Sequence, residues 1–165
     1  MDHKEPEMAK QIKKLEPPQG CSRVFFRAPI WLYRLGLGGL FGKRFVLLNH
    51  IGRKSGLPRQ AVLEVVQYQP ETNTYVVCVG FGKKSQWYQN LMANPEVSIQ
   101  VGWRKWPVTA EQLSPQDGAE VFVDFCRRYP GEAKFAAMLG YQVDGSEGDY
   151  RQMGEMMTFI AFRPM

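Results

Sequence analysis

Three fixed cations, two glycines, a serine and a proline fall within the stretch His50 to Arg59, HIGRKSGLPR. Guanidinium and ammonium groups on a tight loop make charge-assisted hydrogen bonds to phosphate or carboxylate oxygens. Glycines let the backbone approach such a ligand closely or take positive φ. A hairpin turn accounts for the glycines and the proline, but it has no use for Arg53, Lys54 and Arg59 together. A second stretch, Gly80 to Ser85 (GFGKKS), places Lys83 and Lys84 in another glycine-bearing loop ahead of a short helix. A basic loop entering a helix N-terminus is a favourable place for an anion. On composition alone, a solvated basic hairpin loop is an equal reading of the first stretch, and an ordinary strand-to-helix connection with solvent lysines is the plain alternative for the second.

Other chemistry finds less support. His3 and His50 are the only histidines, which argues against a His-based metal site. Cys21, Cys78 and Cys126 are odd in number and have no metal or redox spacing, so free thiols in a reducing cytosol are expected. No nucleophile–base constellation is visible, and neither a G-x-G-x-x-G nor a Walker A loop is present. What remains is a pair of basic loops and an aromatic content of 13%. Together they suggest a long anionic ligand with a flat aromatic head.

Charge is unevenly distributed. Through Arg59 there are 12 Lys or Arg against 4 Asp or Glu; from Gln60 onward there are 9 against 12. This asymmetry suggests a phosphate-bearing cofactor, a membrane surface or nucleic acid as partner. The acidic remainder and the lack of a reader motif exclude nucleic acid from the leading readings.

These loops must be positioned by a fold. Residues 1–22 read as a polar, proline-bearing arm and 23–165 as one domain. Arg23 to Lys43 mixes Phe, Trp, Leu and Ile with spaced basic residues, and Pro29 suggests a helix start. Its core, 24–41, either packs over the domain or makes peripheral membrane contact. No apolar run reaches membrane-spanning length, and Met1 to Lys14 is charged throughout, unlike a secretory signal. Strands are expected at Phe45–Ile51, Gln60–Gln69, Thr74–Val79, Glu96–Val101, Arg104–Leu113 and Met157–Phe162. Helices are expected at Gln86–Ala93, with Ser85 as cap, after Ser114-Pro115, and at Glu132–Leu139; Gln142 to Gly154 reads as a loop. About six strands with short links predict a mainly β, α+β fold: an antiparallel barrel with flanking helices.

GRKSGLPR (Gly52 to Arg59), followed by WYQNLMANPEVSIQVG (Trp87 to Gly102), resembles the deazaflavin-dependent nitroreductase family. The similarity runs from Phe45 to Val108. It implies a split β-barrel related to flavin-binding barrels, and binding of coenzyme F-420, a deazaflavin with a phosphate and a glutamate tail. Arg53, Lys54, Ser55 and Arg59 match the family's cationic loop, and Lys83 or Lys84 a basic position before the helix. Trp87, Tyr88 and Asn90 match the helix that lines the cofactor cleft. The implied chemistry is hydride transfer between the deazaflavin and a small-molecule acceptor: a quinone, a nitro compound or an activated alkene. The chain is a few residues shorter than the family pattern between Tyr75 and Trp87. Catalytic residues are unassigned, with Tyr129 and Tyr141 as candidates. FMN in the same barrel is the alternative cofactor, and a non-enzymatic lipid-binding module the alternative class. A cytoplasmic protein is expected, with membrane association as the variant reading and either a monomer or a homodimer as its assembly.

Overall fold

The computed structural model describes residues 10–11, 29–132, 141–142 and 145–165. The expected helix at Glu132–Leu139 therefore lies almost wholly outside the described residues. Six strands close into an antiparallel barrel: β2 (Phe45–Ile51), β3 (Pro58–Gln69), β4 (Thr74–Cys78), β5 (Glu96–Val101), β6 (Arg104–Gln112) and β8 (Phe159–Pro164). Their order is β2-β3-β4-β8-β6-β5, and pairing of Leu48 with Ile99 closes β5 onto β2. A separate two-residue ladder joins β1 (Lys10–Gln11) to β7 (Tyr141–Gln142). Among the described residues, four α-helices flank the barrel: α1 (29–34), α2 (Gln86–Ala93), α3 (Pro115–Arg128) and α4 (Glu147–Met156). This is the antiparallel split barrel with flanking helices that the sequence predicts.

Alternation along the strands decides what each layer buries. Val46, Leu48, Tyr75, Val77, Ile99, Val108, Ile160 and Phe162 fill the interior, and Tyr88 and Leu91 of α2 join them. The residues between face outward. Val76, Phe159 and Ala161 meet Phe122 and Phe125 of α3 and Met153 of α4. Leu47 meets Ile30 and Tyr33 of α1. Burying each such Leu or Phe contributes about 2 kcal/mol, so both outer layers are held mainly by apolar area.

One expectation is corrected. Residues 147–154, read as part of a loop, belong to α4 (Glu147–Met156). The Ser146 side chain accepts from the Asp149 amide at 3.2 Å, with Glu147 and Asp149 acidic in the first turn, so a complete N-cap lay in the sequence. Gly148 and Gly154 obscured it. Gly154 is there because α4 crosses α3 closely: a Cβ on it would stand 2.6 Å from the Ala119 Cα. Smaller shifts occur at ends. β3 begins at Pro58, and β8 runs to Pro164, two residues beyond the expected end.

Candidate functional site

β2 and β3 pair up to Ile51 and Pro58, so residues 52–57 form the connecting loop. The loop closes on itself: the Gly52 amide donates to the Leu57 carbonyl at 2.9 Å, and the Gly56 amide to the Gly52 carbonyl at 2.8 Å. Gly56 takes φ 66°, which a side chain would strain. Gly52 is buried, and a Cβ there would lie 2.7 Å from the Ser55 Oγ. The turn is compact because glycine leaves the space.

Arg53 ties this loop to α2. Its backbone N–H donates to the Asn90 Oδ1 at 3.1 Å. Its guanidinium donates to the Gln86 Oε1 and the Asn90 Oδ1, each at 3.0 Å, and to the Gln89 Oε1. Gln86, Gln89 and Asn90 recur at helical spacing, so one face of α2 presents three amide oxygens to one arginine. Because the Asn90 oxygen is taken by Arg53, its Nδ2 faces the His50 Nδ1, 3.1 Å away. That arrangement assigns the His50 Nδ1 as acceptor and puts the neutral ring's proton on Nε2. His50 is buried, and burial pushes its pKa below 6.5; a backbone hydrogen bond at Ile51 opposes this, and the Arg59 charge adds to it.

The second loop reaches the same helix. Gly82 has φ 72°, and the Ser85 amide donates to the Gly82 carbonyl at 3.0 Å. The Gln89 Nε2 donates to the Lys83 carbonyl at 3.1 Å, so Gln89 touches both loops. Ser85 occupies the N-cap position of α2, yet its hydroxyl makes no capping bond. Its Oγ is buried without a partner, whereas Ser114 and Ser146 both cap their helices. An unsatisfied buried hydroxyl costs about 1–3 kcal/mol, which a hydrogen-bonding ligand would recover.

Lys54, Arg59, Lys83 and Lys84 are exposed, and among the described residues none of their side chains forms an ion pair or hydrogen bond. Trp87 and Tyr88 lie edge to face, 6.5 Å between centroids, against the barrel interior. The Tyr88 hydroxyl donates to the Gln112 Oε1 at 2.8 Å. The structure thus brings Arg53, Lys54, Ser55, Arg59, Lys83, Lys84, Trp87, Tyr88 and Asn90 to α2 and its two adjoining loops. It places the candidate Tyr129 elsewhere. Tyr129 lines a cleft of about 200 Å³ on the outer side of β3, with Lys43, Arg44, Glu64, Tyr68 and Arg128. Tyr141 belongs to the β1–β7 ladder. Gln86, Gln89 and His50 are the participants that sequence reasoning passed over; the Gln86-x-x-Gln89-Asn90 spacing was the available signal.

Comparison with known proteins now adds to this geometry. The sequence profile described as F420H(2)-dependent quinone reductase matches residues 27–143, well over half of the chain. The chain belongs to this family. Two Mycobacterium tuberculosis proteins named F420H(2)-dependent quinone reductases, Rv1261c and MT1299, are each 34% identical over 95 residues, 52% of this chain. The match spans 61% of the length of those relatives. Among solved structures, an F420-H2 dependent reductase, FDR-A, superposes with a TM-score of 0.51 at 24% identity, covering 74% of this chain and 96% of its own. The M. tuberculosis protein Rv2991 superposes with a TM-score of 0.51 at 17% identity, covering 94% and 85%. At these identities the superpositions establish the shared barrel fold. The family match includes the 52–57 loop, Arg59 at the start of β3, the Gly80–Ser85 loop and α2, so these cations sit within the matched region.

Proposed function

We propose that the protein is an oxidoreductase that uses coenzyme F-420 and passes a hydride to a quinone. The observation that carries this reading is a set of four cations unpaired among the described residues: Lys54, Lys83 and Lys84 on two loops joined through Gln89, and Arg59 at the start of β3 beside the first loop. A phosphate followed by a glutamate tail is the kind of anion such a set fits. The partnerless Ser85 hydroxyl and the compact turn at Gly52 fit it as well. When bound, the reduced deazaflavin supplies the hydride. The chain's own share is to bind and orient. Lys54, Arg59, Lys83 and Lys84 neutralise the tail, Arg53 holds the first loop against α2, Asn90 holds Arg53, and His50 holds Asn90. Nitro compounds and activated alkenes are further acceptors of the same electronic class. A quinone with a lipid tail resides in a membrane, and the segment 24–41, of which 24–28 lie outside the described residues, would supply the peripheral contact that reaches it.

Titration of the protein with oxidised F-420, followed by cofactor fluorescence, tests the reading. A saturable change at micromolar protein is expected, together with quinone-dependent oxidation of reduced F-420. No saturable change would overturn it, and a yellow preparation carrying flavin absorbance would replace it with an FMN enzyme.

A further inference from the structure

The outer layers of apolar packing lie over β3, β4 and β8 on one side and over β2 and β3 on another. Among the described residues, β5 and β6 have no such cover. Val97, Ile99, Val101, Trp106 and Val108 pack in the barrel interior, so alternation turns Glu96, Ser98 and Gln100 of β5 outward. Lys105, Pro107 and Thr109 of β6 share that face, because Glu96 pairs with Thr109, Ser98 with Pro107 and Gln100 with Lys105.

The middle of this face is small and neutral. Gln60, Asn49, Ser98 and Pro107 follow one another across β3, β2, β5 and β6 as register partners, and the Gln60 Nε2 donates to the Asn49 Oδ1 at 2.8 Å. The charges stand at opposite ends. Glu96 and Lys105 are both exposed, and four residues of strand, roughly 13 Å, separate their levels. The other carboxylates on the barrel strands are paired, Glu64 with Arg44 and Glu111 with Arg163. Among the described residues, neither Glu96 nor Lys105 forms an ion pair or a side-chain hydrogen bond.

Such a face is complementary to itself. A twofold axis lying in the face, along the Asn49–Ser98–Pro107 row, reverses the strand direction and exchanges the two ends. Glu96 of one copy then meets Lys105 of the other, twice, while the two neutral rows meet at the axis. Ser98 and Pro107 are short there, so the sheets can approach to the roughly 10 Å of face-to-face packing. A partner of a single charge sign would match one end and be repelled at the other. We propose that the protein forms a twofold dimer with a second copy of itself through the β5–β6 face, held in register by two symmetry-related Glu96–Lys105 pairs. None of these residues takes part in the cofactor reading, so the dimer stands independently of it.

Sedimentation velocity of the full chain at concentrations on the order of 1–100 µM tests the proposal. Wild type shifts from monomer to dimer as concentration rises, and high salt shifts it back. Glu96→Lys and Lys105→Glu each weaken dimerisation about tenfold, because symmetry makes each substitution create two like-charge contacts. Mixed in equal amounts, the two variants form a heterodimer, since the lysines of one face the glutamates of the other. A chain carrying both reversals dimerises like wild type. Melting of dilute samples and F-420 affinity stay unchanged throughout. The proposal is overturned if wild type remains a monomer across this range or if the single variants dimerise as tightly as wild type. It is also overturned if mixing the two variants gains nothing over either alone.

Discussion

Two clusters of positive charge lie at opposite ends of the β2–β3 hairpin and are built in opposite ways. At the cleft, each cation is engaged. The Lys43 Nζ lies 4.3 Å from the centre of the Tyr68 ring, Arg44 pairs with Glu64 at 3.1 Å, and Arg128 pairs with Asp124 at 2.8 Å while donating to the Val66 carbonyl. At the loops around α2, Arg53 is engaged, and Lys54, Arg59, Lys83 and Lys84 are not. A paired charge must be released before it serves a ligand, whereas a cluster of unpaired like charges is relieved by one. The concave cleft is therefore the better-formed hollow and the poorer anion site. Shape and charge point to different ends of the molecule, and for an acidic cofactor charge decides.

The largest expected effect tests how differently the two ends are packed. Gly154 has ordinary backbone but no room, with the Ala119 Cα and the Phe122 Cβ both within 3.0 Å of a built Cβ. Gly56 has the reverse problem, with φ 66° and nothing within 4 Å. Gly154→Val is expected to cost about 3 kcal/mol by forcing α3 and α4 apart. Gly56→Ala is expected to cost about 1 kcal/mol, from the left-handed conformation alone. Thermal melting should fall by roughly 10 °C for the first and roughly 3 °C for the second. Equal melting shifts would show that the helix pair is as adaptable as the loop.

Next in size is a change in affinity without a change in stability. Lys54→Ala with Arg59→Ala removes two unpaired charges and should weaken F-420 binding by about 100-fold, each charge-assisted contact contributing about 1.5 kcal/mol. Arg44→Ala at the cleft should change it less than about twofold, since its charge is already paired with Glu64. The loop variants should unfold at the same urea concentration as wild type or a higher one, because self-repulsion falls. Fluorescence titration and urea unfolding of the same samples check both statements. Loss of affinity from Arg44→Ala alone would move the anion site to the cleft.

This contrast was only half legible in the sequence. β2, α2 and β5 fall where period and capping predict, because apolar alternation, the Asn94-Pro95 stop and short links all agree there. The cationic loops were legible as types of residue. Which cations are spent was not, because that depends on Arg53 meeting a helix 33 to 37 residues further along the chain. Ser85 illustrates the same limit. It occupies the N-cap position that the sequence assigns, but its hydroxyl is buried without a partner. At α4 the failure was one of weighting: two glycines outweighed a complete Ser146 cap, and close contact with α3 explains one of them.

The smallest effect concerns His50, which lies beneath the loop end and has no counterpart at the cleft. Its pKa in the folded protein lies below the ordinary 6.5, first because it is buried and then because Arg59 is near. Between the lowered value and 6.5 the unfolded chain binds more protons than the folded one, so stability rises with pH across that window. The contribution is complete above 6.5 and is lost as pH falls through the folded value. Protonation at Nδ1 would set an N–H against the Asn90 Nδ2 donor, so Asn90 must turn and its grip on Arg53 loosens. Acid should therefore weaken the loop end selectively. Urea midpoints at pH 7.5 and 5.5 should differ more for wild type than for His50→Gln, whose side chain can accept from Asn90 and does not titrate. F-420 affinity should follow the same difference. Identical pH profiles for the two proteins would show that the Asn90–Arg53 clasp holds whether or not His50 is charged.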